Sequence, residues 1–151
     1  MIRGISFTTK QPIGDILQEI LVAIDASKYN WRVVQSQTEA MDRSFENEIF
    51  EQDYYSGNEL LNCDFRNSCI VFLKIEAYDG KSHFENLSTY ADFQQSNCQI
   101  LFLVYDCENV EIYAKNPDSV QAIEMLLQKH QCFHYEIITD KTDTRIKLDI
   151  V

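Results

Sequence analysis

Carboxylates and aromatic rings crowd one short part of this sequence. From Thr38 to Asp64 the acids are Glu39, Asp42, Glu46, Glu48, Glu51, Asp53, Glu59 and Asp64, and the one base is Arg43. Eight acids less one base put −7 of a net −11 into under a fifth of the chain. Phe45, Ile49, Phe50, Tyr54 and Tyr55 are interleaved with them. In an extended backbone Glu46, Glu48 and Phe50 share one face, while Phe45 and Ile49 point the other way. Two readings stand side by side. Glu46, Glu48, Glu51, Asp53, Tyr54 and Tyr55 can form a surface that docks a basic protein, since concentrated like charge repels itself unless a cation neutralises it. Alternatively, the apolar side chains anchor the segment and the acids are simply solvated.

A second group could form a ligand cleft. Tyr78 and Asp79 end one apolar strand, Asp106 ends another, and His83 follows the turn "DGKS". Carboxylates at strand ends beside a histidine can act as an acid/base pair or hold a small ligand. Asp also favours turns for its own local hydrogen bonding. "HQCFH" sets His130, Cys132 and His134 at alternating positions, a ligand-like spacing on a strand. His130, however, ends a helix pattern, which turns it away from the other two, and no Cys/His pair precedes them. No metal, cofactor or catalytic residue is assigned. There is no glycine-rich phosphate loop, with 4 Gly in the whole chain, and no nucleophile–base signature. Tyr29 and Trp31 join Tyr54 and Tyr55 as aromatic candidates for a contact surface.

Bulk properties narrow the classes. At 151 residues the chain fits one α+β domain spanning 1–151. A net charge of −11 and a pI near 4.6 argue against direct binding to nucleic acid or to an anionic membrane, both of which need clustered Lys and Arg. No apolar run reaches the roughly 20 residues of a membrane span. "MIRGISFTTK" carries no signal pattern, so a cytoplasmic location is expected, with the five Cys as reduced thiols.

The elements that must position these residues follow from periodicity. Ile2–Phe7 alternates as a strand. Ile13, Ile16, Leu17, Ile20, Leu21 and Ile24 mark an amphipathic helix with Pro12 at its first turn. Trp31–Gln37 is a second strand, "EIFEQ" a possible short one, and Ser56 a cap for a helix through "GNELLN". Cys69–Tyr78 reads as a central strand. "FENLSTYADFQQ" reads as a helix with Phe84, Leu87, Tyr90 and Ala91 on one side. "CQILFLVYDCENVEIYAKN" reads as a hairpin. Asn116, Pro117 and Asp118 open a helix with Val120, Ile123, Leu126 and Leu127 buried. "FHYEIIT" and "RIKLDIV" read as a closing hairpin whose last strand could pair across a dimer; the oligomeric state itself is open. The two hairpins exclude a doubly wound parallel sheet. The expected architecture is a single-layer mixed, largely antiparallel sheet with helices mainly on one face.

"MIRGISF", "SGNEL", "IVFLKIEAY" and "ITDKTDTRIKLDIV" together resemble a small Gram-positive bacterial family, domain of unknown function 2691. The resemblance covers most of the chain, least over Thr38–Asp53. It implies a single cytosolic domain and transfers no active site. An immunity-protein-like role rests on analogy of composition and fold class alone.

Overall fold

A computed structural model of the chain describes residues 1–40, 49–66, 68–80, 83–130 and 134–150. Seven strands form one sheet: β1 (Ile2–Thr8), β2 (Tyr29–Ala40), β3 (Tyr54–Ser56), β4 (Ser68–Asp79), β5 (Cys98–Tyr105), β6 (Asn109–Ala114) and β7 (His134–Thr139). Their order is β3-β2-β4-β5-β6-β1-β7. Every pairing among the described residues is antiparallel, so the expected α+β class holds and the parallel component of a mixed sheet is absent there. The N-terminal strand is inserted between β6 and β7, which makes β3 and β7 the sheet edges.

Helices α1 (Ile13–Ala23), α2 (Gly57–Leu61) and α4 (Pro117–His130) pack on the first face of the sheet. Helix α1 buries Ile13, Ile16, Leu17, Ile20 and Leu21, the stripe that a 3.6-residue period dictates. In α4, Asn116 Oδ1 accepts from Asp118 N at 2.9 Å, and Val120, Ile123 and Leu127 face the core. Helix α2 starts at a capping box: Glu59 N donates to Ser56 Oγ, and Ser56 N donates to the Glu59 carboxylate. Gly57, its first residue, lies so close to Ala26 O that a Cβ would sit 2.2 Å away. Trp31 is fully buried in this layer, stacked on Phe102 with its Nε1 donating to Ala26 O at 3.0 Å, so it is core and not a contact surface. Among the described residues no helix is long and apolar enough to cross a membrane.

The second face departs from expectation. The helix read over "FENLSTYADFQQ" shrinks to α3 (Tyr90–Gln95). Thr89 and Asp92 form a capping box that starts the helix at Tyr90, and Phe84–Ser88 runs as coil. The closing hairpin does not form either. After β7 the chain turns at Thr139–Asp143, and its tail makes only an isolated bridge, Thr89↔Lys147, with Leu148 N donating to Ser88 O. Leu148 and Ile150 are buried against Tyr78, Leu87, Tyr90, Phe93 and Tyr113. The tail thus covers part of the second face with Leu148 and Ile150, while Ile146 stays exposed.

Truncating a fully buried leucine leaves a cavity that costs about 2–4 kcal/mol. Leu148→Ala is therefore expected to lower the unfolding free energy by that amount, read as a lower urea midpoint with an unchanged slope. A wild-type midpoint would contradict the covering role of the tail.

Candidate functional site

The acidic edge is built around β3. Its outer stretch carries exposed Glu51, Asp53 and Tyr54, and among the described residues neither carboxylate has an ion pair. Tyr55 behaves differently. It is buried, and its hydroxyl accepts from Glu51 N at 2.9 Å and from Gln52 N at 3.2 Å. Tyr55 therefore positions the acidic turn and does not present itself to a partner. The exposed Tyr54 ring leans on Phe84, with centroids 5.0 Å apart. Two further acids of the segment are already used: Glu59 caps α2, and Asp64 pairs with Arg66. Hydrogen bonds from those partners hold both carboxyls below their ordinary values. Glu46 and Glu48 lie outside the described residues.

The expected cleft of Tyr78, Asp79, His83 and Asp106 is not assembled. Strands β4 and β5 are antiparallel, so Asp79 lies beside the start of β5. Asp106 lies beside the start of β4, where Cys107 N faces Val71 O. Eight residues of strand separate them, roughly 25 Å at 3.3 Å per residue. Tyr78 is fully buried, its hydroxyl on Glu76 Oε1 at 3.0 Å, while His83 is exposed. Nor do His130 and His134 converge. His130 ends α4 with its Nε2 2.5 Å from Glu19, His134 opens β7, and Cys132 lies outside the described residues. Burial pushes the Cys98 thiol up to about 12, which keeps it protonated and non-nucleophilic.

What periodicity alone missed is a polar layer between the second face of the sheet and the coil above it. Arg32 holds Glu76 at 2.8 Å and donates to Glu85 O at 2.7 Å. Lys74 Nζ donates to Leu87 O at 3.0 Å, and Lys115 Nζ to Ser96 O. Arg3 lies 4.0 Å over the Tyr90 ring and pairs with Asp140 and Asp143; Tyr113 donates to the same Asp143 at 2.8 Å. Arg145 pairs with Glu111 at 2.7 Å and donates to Lys147 O and Asp149 O. Burial raises the Glu76 and Glu111 carboxyls above the ordinary value, against the pull of Arg32 and Arg145.

Beyond the tail, this face is open among the described residues. A trough of about 300 Å³ runs over β5, β6, β1 and β7, and a second hollow of about 380 Å³ adjoins it at Thr8 and His134. Register defines its floor. One row is Tyr105–Asn109–Thr8–His134, and the next is Leu103–Glu111–Ser6–Glu136. Directly paired residues point to the same side of a sheet, so both rows present their side chains together. The alternation of each strand signalled these polar positions; the strand order that unites them was not readable.

With the geometry in place, comparison with known proteins locates the chain. Residues 2–149 match the model of a family described as "Protein of unknown function (DUF2691)". The chain belongs to that family. A relative described as "Uncharacterized protein YncE", from Bacillus subtilis (strain 168), is 25% identical over 157 residues, covering 99% of this chain and 100% of its own length. No solved structure matches. The resemblance read from the strand starts, the helix cap and the C-terminal stretch is thereby supported over nearly the full length.

Two outcomes follow from this geometry. Removing the hydroxyl in Tyr55→Phe leaves two backbone donors to solvent or unpaired, a loss of about 1 kcal/mol. Amide exchange at Glu51 and Gln52 is expected to accelerate, and unchanged exchange would show that the turn is held otherwise. Glu76 provides a pH test. Its folded value is raised above the ordinary 4.5, so the folded state binds the proton more tightly in that window. Its contribution is present below 4.5 and is lost as pH rises through the folded value. The stability of wild type relative to Glu76→Gln should therefore fall as pH rises above the ordinary carboxylate value, measured by urea unfolding. A difference that grows with pH would reverse the assignment.

Proposed function

We propose that this protein is a non-catalytic binding module of the cytoplasm that docks a basic protein partner through its acidic, aromatic-bearing edge. The supporting observation is where its cations go. Among the described residues the polar layer on the second face holds Arg3, Arg32, Lys74, Lys115 and Arg145 with Glu76, Glu111 and Asp143. The rest of the chain then has eight Lys and Arg against twenty-one Asp and Glu. Eight less twenty-one leaves that remainder at −13. Engaging these cations on the second face while, among the described residues, Glu51 and Asp53 have no ion pair favours attraction of a positively charged partner and speeds its approach.

Within the edge, Glu51 and Asp53 supply charge, and Tyr54 supplies a ring supported by Phe84. Tyr55 and the Ser56–Glu59 capping box hold that turn in place. Aromatic side chains beside charges are favoured where one protein seats on another.

The test is a double charge reversal, Glu51→Lys with Asp53→Lys, compared with wild type in pull-downs from the native lysate. A partner bound at about 50 mM salt and released at about 500 mM is expected for wild type and absent for the reversed chain. Capture that survives both the reversal and the salt would overturn the electrostatic mechanism.

A further inference from the structure

The trough on the open part of the second face has a character unlike the rest of this acidic molecule. It carries little net charge. Glu111 is neutralised by Arg145 at 2.7 Å, Glu108 shares the adjoining hollow with Lys10, and Glu136 is the remaining carboxylate that lines the trough. A strongly cationic ligand would find better sites at the β3 edge, and an anionic one would meet the field of a −11 protein.

The floor also has unused hydrogen-bonding capacity. Ser6, Thr8, Asn109, His134 and Glu136 lie in the two adjacent rows, and among the described residues none of their side chains has a hydrogen bond or ion pair within the protein. Together they offer hydroxyls that donate and accept, an amide that does both, an imidazole and a carboxylate. Neighbouring strands lie about 4.8 Å apart, so these groups form a flat grid with that spacing. Tyr105 closes one end, its ring flanked by the Arg145 guanidinium 5.9 Å away. A volume of about 300 Å³ sits at the small end of the range for small-molecule sites, roughly 300–1,000 Å³.

A grid of unused donors and acceptors with little net charge and an aromatic wall matches a molecule whose own surface alternates hydroxyl donors and acceptors. We propose that this trough binds a small, neutral, polyhydroxylated ligand of about one sugar ring. Asn109, Thr8 and Glu136 hydrogen-bond its hydroxyls, and Tyr105 packs against its C–H face. The site goes beyond the acidic edge: it lies at the opposite end of the strand order, on β1, β6 and β7, and shares no residue with Glu51, Asp53 or Tyr54.

Saturation-transfer NMR on the full chain tests it, with glucose, ribose and inositol as probes and with putrescine and inorganic phosphate as charged comparators. The expected result is transfer to at least one polyol, with amide shifts confined to the strands that carry Ser6, Thr8, Asn109 and Glu136. Thr8→Val with Asn109→Ala should weaken that polyol about ten-fold or more, since two lost hydrogen bonds account for a factor of that size. Both positions lie on the open floor, so the thermal midpoint should stay near wild type. Tyr54→Ala should leave polyol binding unchanged, which separates this site from the acidic edge. No transfer to any polyol, transfer unaffected by the double variant, or shifts at these strands with putrescine or phosphate alone would each overturn the proposal.

Discussion

A coil laid on a β-sheet brings its backbone N–H and C=O groups out of water, and each must find a partner. That constraint governs the second face of this protein. Helices satisfy their own backbone and can cover the first face with apolar side chains alone. The segments 84–89 and 143–150 cannot. The sheet below answers the first with side chains, Arg32 and Tyr78 reaching Glu85 and Lys74 reaching Leu87, while within the tail Arg145 reaches Lys147 and Asp149. Polar residues on the inner side of these strands therefore serve the coil's backbone.

Charge follows from that arrangement. A Lys or Arg withdrawn from water needs a counter-charge or carbonyl oxygens: Glu76 pairs with Arg32, Glu111 with Arg145 and Asp143 with Arg3, while Lys74 and Lys115 donate to backbone carbonyls. The same layer sets the limits of the cover. Where the tail ends its run over the sheet, at Arg145 and Glu111, the trough begins. One ion pair thus seals the second core and forms a wall of the open floor.

Much of the fold was legible locally. The stripes of α1 and α4, the capping box at Ser56, the β5–β6 hairpin and the antiparallel bias all follow from spacing and cap chemistry. The hairpin turn carries positive φ at Asp106 and Cys107, as the "DCEN" turn requires. Two segments misled for an identifiable reason. "FENLSTYADFQQ" has helical spacing throughout, but Thr89 and Asp92 start the helix at Tyr90 and sheet side chains hold the residues before it extended. "RIKLDIV" has strand alternation, which specifies a buried side and not a partner; the partner proved to be the coil at Ser88–Thr89. The candidate cleft failed similarly. Strand ends adjacent in sequence pattern lie at opposite ends of an antiparallel pair.

The sequence by itself determined the class of fold, the helices of the first face, the family and the acidity concentrated around Glu51 and Asp53, because each depends on residues close together in the chain. Only the tertiary structure decided that Tyr55 is a buried anchor beside an exposed Tyr54, and that Lys74 is buried with Arg3, Arg32, Lys115 and Arg145 half-buried on the same face. It also decided that Ser6, Thr8, Asn109, His134 and Glu136 share one floor. Those outcomes depend on which strands become neighbours. Inserting β1 between β6 and β7 joins residues more than 100 positions apart, a pairing that no local period encodes.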